Sequence, residues 1–247
     1  MARSYARRTR EERPRIRVDE EGDARSLVVD ETFASFYRPG KVVTRCVWDA
    51  IAAPILWLPR RRRRRILILG LGGGSVARLA RALAPGAEIV GVELDPEVVR
   101  LARAHLDLDA LDIRVEIADA LSWLEEAHLD RQKGRGRFDA VLEDVFIGHG
   151  DDVYKPDWIP EPAHEMARAC LARGGVLVSN TLDDYARVAR AMRKEFEGIV
   201  AIGVEDYDNR VLVAGSGGLT GASLRECVSK SPLLRESLPI LSFRTRA

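Results

Sequence analysis

Three carboxylates and one glycine-rich turn carry the chemistry open to this chain. Residues 66–74 read Ile-Leu-Ile-Leu-Gly-Leu-Gly-Gly-Gly, an apolar run entering a turn with Gly70, Gly72 and Gly74 at alternate positions. Such a turn lets the main chain approach a ligand at a helix N-terminus, where free N–H groups and the helix dipole point outward. Glu93 closes the next apolar run, nineteen residues beyond Gly74. A carboxylate at that place accepts hydrogen bonds from both hydroxyls of a ribose. Asp119, in Glu116-Ile-Ala-Asp-Ala120, suits an adenine amino group and suits equally the N-cap of a following helix. Asp144 ends Phe138-Asp-Ala-Val-Leu-Glu-Asp144. Facing the reactive end of a bound nucleoside, it would take a proton from an attacking amine or hydroxyl, or hold a cationic acceptor in line.

The elements that must position these groups alternate. Strands are expected at 66–70, 88–93, 112–117, 138–143 and 174–179, and helices at 74–84, 96–107, 119–127, 161–172 and 182–196. Asp95 as N-cap with Pro96 at the first helical position marks one helix start, and Arg173-Gly174-Gly175 reads as a helix stop. Two last strands, near 199–205 and 210–215, join through Asp208-Asn209 as an antiparallel hairpin. The alternation predicts an α/β, Rossmann-like parallel sheet covered on both faces. Ahead of it, Arg15–Asp19 and Ser26–Asp30 pair around a Glu21-Gly22-Asp23 turn, and 41–53 reads as a helix. The domain reading is a disordered Arg-rich tail at 1–14, a small strand segment with linking helix at 15–58, a donor-binding domain at 65–216 and a helical extension at 217–247.

Composition narrows the classes. The chain has 247 residues, 46% of them hydrophobic and 31% charged, with a formal net charge of +1. That balance gives no global attraction to nucleic acid or an acidic membrane. Cys46, Cys170 and Cys227 are scattered, so neither a disulfide framework nor a zinc site is expected, and a reducing cytoplasm suits them. No metal-ligand spacing occurs among the four histidines. No secretory or membrane-spanning segment is read, the apolar stretch 47–58 being too short and broken by Asp49 and Pro54. Arg60–Arg65, six arginines in a row, precede the first central strand at the far end of the sheet and read as a solvated insertion.

The motifs in order, Ile66–Gly74, Val90–Pro96, Val115–Ala120 and Phe138–Asp144, resemble the polyamine aminopropyltransferases, or spermidine synthases, of the S-adenosylmethionine-dependent methyltransferase superfamily. Leu27–Asp30 and Val47–Pro54 are similar to that family's small front domain and linking helix. The resemblance implies a seven-stranded sheet with a C-terminal antiparallel hairpin. It implies S-adenosylmethionine or its decarboxylated form as co-substrate, a small-molecule acceptor, a homodimer and no metal. Carried over by position, Gly70, Gly72, Gly74, Glu93, Asp119 and Ala120 hold the donor and Asp144 is the base. His149, Asp151 and Tyr154, in the segment 145–160, are candidates for the acceptor side, and that segment is long enough to close over a ligand.

Three positions depart from the family. Gly73 and Ile147 stand where the family carries aspartates, and Val47 where it carries a tyrosine. A diamine holds about two positive charges at neutral pH, and burying them without carboxylate partners costs several kcal/mol. Their loss argues against a long diamine unless Asp49, Asp151 or Asp152 compensates. It also suits a donor that keeps its carboxylate. Aminopropyl and methyl transfer therefore stay open. So do a nucleoside-binding protein without turnover and an Arg-rich RNA-associated protein.

Overall fold

A computed structural model describes residues 16–132 and 137–246. The tail expected at 1–14 lies outside the described residues. The chain opens with a three-stranded antiparallel meander, β1 (Ile16–Glu21), β2 (Ala24–Val29) and β3 (Thr32–Tyr37). Asp30 and Glu31 supply the left-handed residues of the second turn. Next comes α1 (Val47–Ala52), continued as a 3-10 turn over Ala53–Trp57. The helix begins later than the expected 41, because Arg45 is left-handed at φ 55° and cannot sit inside a helix.

The central unit then alternates: β4 (Arg65–Leu69), α2 (Ser75–Leu83), β5 (Glu88–Glu93), α3 (Pro96–His105), β6 (Arg114–Ile117), α4 (Ala120–Gln132) and β7 (Phe138–Glu143). A short hairpin, β8 (Ile147–His149) and β9 (Asp152–Tyr154), interrupts the pattern. After it follow α5 (Ala163–Cys170), β10 (Leu171–Thr181), α6 (Tyr185–Glu195), β11 (Gly198–Val204), β12 (Arg210–Gly215), α7 (Gly221–Ser229) and β13 (Leu241–Arg246).

The large sheet runs β13-β11-β12-β10-β7-β4-β5-β6, parallel from β10 to β6 and antiparallel beyond. The seven expected strands are all present. The eighth is β13, in the segment read as purely helical. There Leu241, Phe243 and Thr245 alternate with Ser242, Arg244 and Arg246, and the strand pairs with β11. Arg173-Gly174-Gly175 is not a helix stop. α5 ends at Cys170, and Gly174 at φ 73° forms a bulge inside β10, where the pairing with β7 slips.

Both faces of the sheet are covered. α1, α2 and α7 pack one side with Ile51, Ile55, Leu79, Leu224 and Val228. α4, α5 and α6 pack the other with Leu124, Ala167, Val188 and Met192. β4 is buried on both faces, Ile66, Leu67, Ile68 and Leu69 being 0–1% exposed, which explains its unbroken apolar run. The meander rests on α3 through Leu27, Val98, Leu101 and Leu106. Among the described residues, no helix is long and apolar enough to cross a membrane.

Candidate active site

The C-terminal ends of four adjacent parallel strands bring the singled-out residues into one row. Asp144 follows β7, the glycine turn follows β4, Glu93 ends β5, and Asp119 with Ala120 follows β6. With strands about 4.8 Å apart, that row spans roughly 14 Å. It is the crevice at which ligands of open α/β sheets bind.

The turn is glycine for steric reasons at three alternate positions, Gly70, Gly72 and Gly74 having φ of 79°, 54° and 89°. At Gly70 a Cβ would stand 2.5 Å from the Asp144 carbonyl oxygen, so the two strand ends touch through main chain. The outward-facing N–H groups expected of the turn are not free. Gly72 N–H donates to Glu93 Oε2 at 2.8 Å, Gly73 N–H to Ser35 Oγ at 2.7 Å, and Gly74 N–H to the Leu71 carbonyl at 3.0 Å. Ser75 Oγ bonds both main-chain groups of Phe36. The front meander is thereby fastened to the start of α2. A Cβ at Gly73 would lie 2.5 Å from Leu106 Cδ2 and 2.8 Å from Ser35 Cβ, so this position has no room for a side chain.

Glu93 is half-buried. Its carboxylate accepts from Gly72 N–H on one oxygen and from Asp95 N–H, at 3.1 Å, on the other. Burial pushes its carboxyl up against the opposing pull of those amides. Beside it Leu94 is exposed, and Ile117 is exposed at the end of β6. The two apolar side chains next to the acids suit the flat face of a base, and the sequence reading passed over them. Asp119 Oδ1 caps α4 through Ser122 N–H at 2.9 Å and Ser122 Oγ at 3.1 Å. Ala120 is buried at the first position of that helix.

Asp144 is held more elaborately. Its N–H donates to the Leu69 carbonyl at 2.8 Å. Asn180 Nδ2, at the end of β10, donates to Asp144 Oδ1 at 2.8 Å, and Asn209 Nδ2 donates to Asn180 Oδ1 at 3.0 Å. The side chain of Trp48, from α1, also bonds the carboxylate. Loss of solvent outweighs the Asn180 amide, the Lys155 charge and Trp48, and pushes the Asp144 carboxyl up to about 6. A carboxylate with that affinity accepts a proton near neutral pH.

Phe33 of β3, 42% exposed, packs edge-on against Trp48 at 5.0 Å between ring centroids. Aromatic surface therefore borders Asp144. Sequence reasoning missed Phe33, Asn180 and Asn209; Phe33 gave no signal, and for the two asparagines the only signal was polarity at or just before the end of an otherwise apolar strand. Val47 is buried in the core. Asp49 cannot stand in for a missing acid. It is fully buried, and its oxygens accept from Thr44 N–H and Oγ, Arg45 N–H and Ser237 Oγ.

The segment 145–160, read as a loop able to close, contains a built hairpin. Its tip is tied to the front meander: Gly150 N–H donates to the Asp30 carbonyl at 2.7 Å, and Thr32 Oγ1 donates to the Gly150 carbonyl at 3.0 Å. His149 and Asp151 are exposed at the tip, as is Tyr154 on β9, and Ile147 begins β8. They share the hairpin that follows Asp144 in the chain. Among the described residues, no cluster of metal-ligating side chains occurs.

No protein-family model matches the chain. It is 35% identical over 137 residues to the polyamine aminopropyltransferase of Vibrio vulnificus, covering 52% of this chain and 40% of the relative. To that of Mycobacterium tuberculosis it is 33% identical over 196 residues, covering 73% and 34%. To that of Chromobacterium violaceum it is 34% identical over 187 residues, covering 71% and 66%. The chain thus spans less than half the length of the first two curated relatives. In fold it is similar to a probable spermidine synthase from Corynebacterium glutamicum, with a TM-score of 0.69 at 21% identity over 93% of this chain and 86% of that one. A spermidine synthase solved with the transition-state analogue AdoDATO gives a TM-score of 0.59 at 18% identity, over 92% and 82%.

Proposed function

The chain belongs to the polyamine aminopropyltransferase-like branch of the S-adenosylmethionine-dependent methyltransferase superfamily, and from that premise we propose that it transfers an aminopropyl group from decarboxylated S-adenosylmethionine to an amine. The observation that supports this reading best is the row at the C-terminal ends of four adjacent strands, which ends on a carboxylate of raised proton affinity. In the proposed complex, Glu93 takes the ribose hydroxyls on the oxygen faces its two amides leave open. Asp119 receives the adenine amino group on Oδ2, since Oδ1 caps α4. Leu94 and Ile117 flank the base, Ala120 borders it, and Gly70, Gly72 and Gly74 allow the sulfonium side chain to pass close to main chain.

The acceptor nitrogen attacks the methylene carbon bonded to sulfur. The carbon–sulfur bond breaks, its electron pair stays on sulfur, and methylthioadenosine leaves. The new ammonium passes its proton to Asp144, whose Oδ2 is free of the Asn180 bond. Phe33 and Trp48 supply an apolar wall and His149, Asp151 and Tyr154 a polar rim. A homodimer is the assembly proposed from the family. The test is product analysis with decarboxylated S-adenosylmethionine and putrescine or other amines. Methylthioadenosine together with an aminopropylated amine supports the reading; its absence with every amine tried sinks it.

One observation favours a second reading, methyl transfer from intact S-adenosylmethionine. At Gly73 the space for an acidic side chain is filled by Leu106 and Ser35, so no carboxylate there repels a donor that carries its own. Calorimetry with the two donors separates the readings: at least tenfold tighter binding of the intact form selects methyl transfer.

A further inference from the structure

Directly behind Asp144 lies a buried ion pair that the proposed chemistry does not use. Strand alternation turns Glu143 to the opposite face from Asp144. There its Oε1 meets Lys155 Nζ at 2.5 Å, with the two side chains 1% and 0% exposed. Ser179 Oγ donates to Glu143 Oε2, and His164 Nε2 stands 3.6 Å from that oxygen. Lys155 also lies 3.9 Å from the centre of the Phe146 ring. Burial alone would raise the Glu143 carboxyl, but the Lys155 charge and His164 hold it well below the usual carboxylate range.

The pair is expensive if it serves stability alone, because well-packed apolar side chains of similar volume commonly do as well. Its bonds to the main chain suggest another use. Glu143 Oε1 accepts from Val145 N–H at 2.7 Å, and Lys155 Nζ donates to the Val145 carbonyl at 2.8 Å. Both peptide groups of the residue following Asp144 are thus satisfied by this pair and not by a neighbouring strand. Lys155 is also the residue at which the chain returns from β9. The hairpin is consequently pinned at its base by Lys155 and at its tip by the Asp30 carbonyl and Thr32.

We propose that Lys155, through Glu143, is the positioning residue for Asp144: the pair fixes the bend after β7 and holds the hairpin as a rigid wall on the acceptor side. The proposal rests on Asp144 being the base. The groups acting on the Asp144 carboxylate are Lys155 and Asn180, with Trp48 from α1, and Glu143 opposes them. Removing the Lys155 charge therefore makes Asp144 harder to ionise.

The test compares wild type with Lys155→Met and with the paired Glu143→Gln/Lys155→Met, which removes both charges at nearly constant volume. Two quantities are read: amide hydrogen exchange over residues 144–154, and the pH profile of kcat for methylthioadenosine release. In both variants exchange over 144–154 should accelerate about tenfold or more while β4 and β7 stay protected, and kcat should fall about tenfold or more with donor KM within about threefold. In Lys155→Met the acid limb should also move to higher pH. If the single variant does not fold, the paired variant, which leaves no lone buried charge, decides. A folded paired variant with wild-type exchange and kcat overturns the proposal, and so does faster exchange with kcat unchanged. A wild type that releases no methylthioadenosine overturns the proposed function instead, and exchange then decides alone whether the pair fixes the bend.

Discussion

Under the proposed function, the two halves of the crevice are built on different plans. The donor half is compact: Gly70–Gly74, Glu93 and Asp119 each sit at or just beyond the end of a strand, and apart from the Ser35 bond to Gly73 their side-chain bonds reach only chain neighbours or the adjacent strand end. The acceptor half is assembled from afar. Phe33 comes from the meander, Trp48 from α1, Asn180 from β10, Asn209 from the β11–β12 turn and Lys155 from behind the hairpin. A site for a shared nucleoside needs only strand ends and a turn. Selecting an acceptor takes walls contributed by several elements.

If that division is right, changes to the acceptor half should alter turnover and leave donor binding alone. The largest effect expected is for Asp144→Asn. It should lower kcat by about 10³-fold, in line with loss of a general base, with donor Kd within about threefold by calorimetry. In wild type the sign of the pH dependence follows from the raised carboxyl. The carboxylate is the active form, so kcat is present above about pH 6 and falls below it. The same shift works the other way on stability: a carboxyl raised in the folded chain favours folding fully at acid pH and loses that contribution as pH rises through about 6. Asp144→Asn should therefore melt no lower than wild type at pH 8. A clearly lower Tm there would contradict the environment assigned to this side chain.

Glu93→Gln tests the other half. The carboxylate's bonds from Gly72 and Asp95 and its proposed ribose bonds are charge-assisted, and such bonds are worth about 1.5–3 kcal/mol. Donor affinity should fall about 10- to 100-fold, with kcat at saturating donor reduced far less. A kcat loss as large as that of Asp144→Asn would break the division between the halves.

How far the sequence revealed each half follows from the same difference. Glu93, Asp119 and Asp144 stand at strand ends within a few positions of a turn or helix start, so periodicity and glycine spacing singled them out as candidates. The taken-up amides of Gly72 and Gly73 were not legible, because Ser35 reaches Gly73 from a strand 38 residues away. Asn180 and Asn209 are 36 and 29 residues from their partners. A lone asparagine at a strand end carries no sign of what it meets. β13 was passed over for a related reason: six alternating residues near a chain end form a strand only because β11 offers an edge. Arg45 shortened α1 through a left-handed conformation that composition does not announce. Asp49, adjacent in sequence to Trp48, looked available for the site, yet the Thr44–Cys46 turn and Ser237 use up its oxygens.

The smallest effect expected is the sharpest probe of how the halves join. Asn180 gives Asp144 a hydrogen bond that favours its charged form and is itself held by Asn209. Asn209→Ala leaves the Asn180–Asp144 bond in place and loosens only its support. Asn180→Ala removes the bond outright, so Asp144 becomes harder to ionise and the acid limb of kcat moves to higher pH. Since a neutral donor to a carboxylate is worth about 1.5–3 kcal/mol at most, and about 1.4 kcal/mol moves the acid limb by one pH unit, kcat near pH 7 should fall about 2- to 15-fold for Asn180→Ala and less than that, at most about 2-fold, for Asn209→Ala. The order of the two matters more than either magnitude. If Asn209→Ala costs as much as Asn180→Ala, the two asparagines act as one rigid unit and the β11–β12 turn belongs to the active site as fully as β10 does. If neither shifts the acid limb, Asp144 owes its proton affinity to burial alone, and the acceptor half is simpler than its many contributing strands imply.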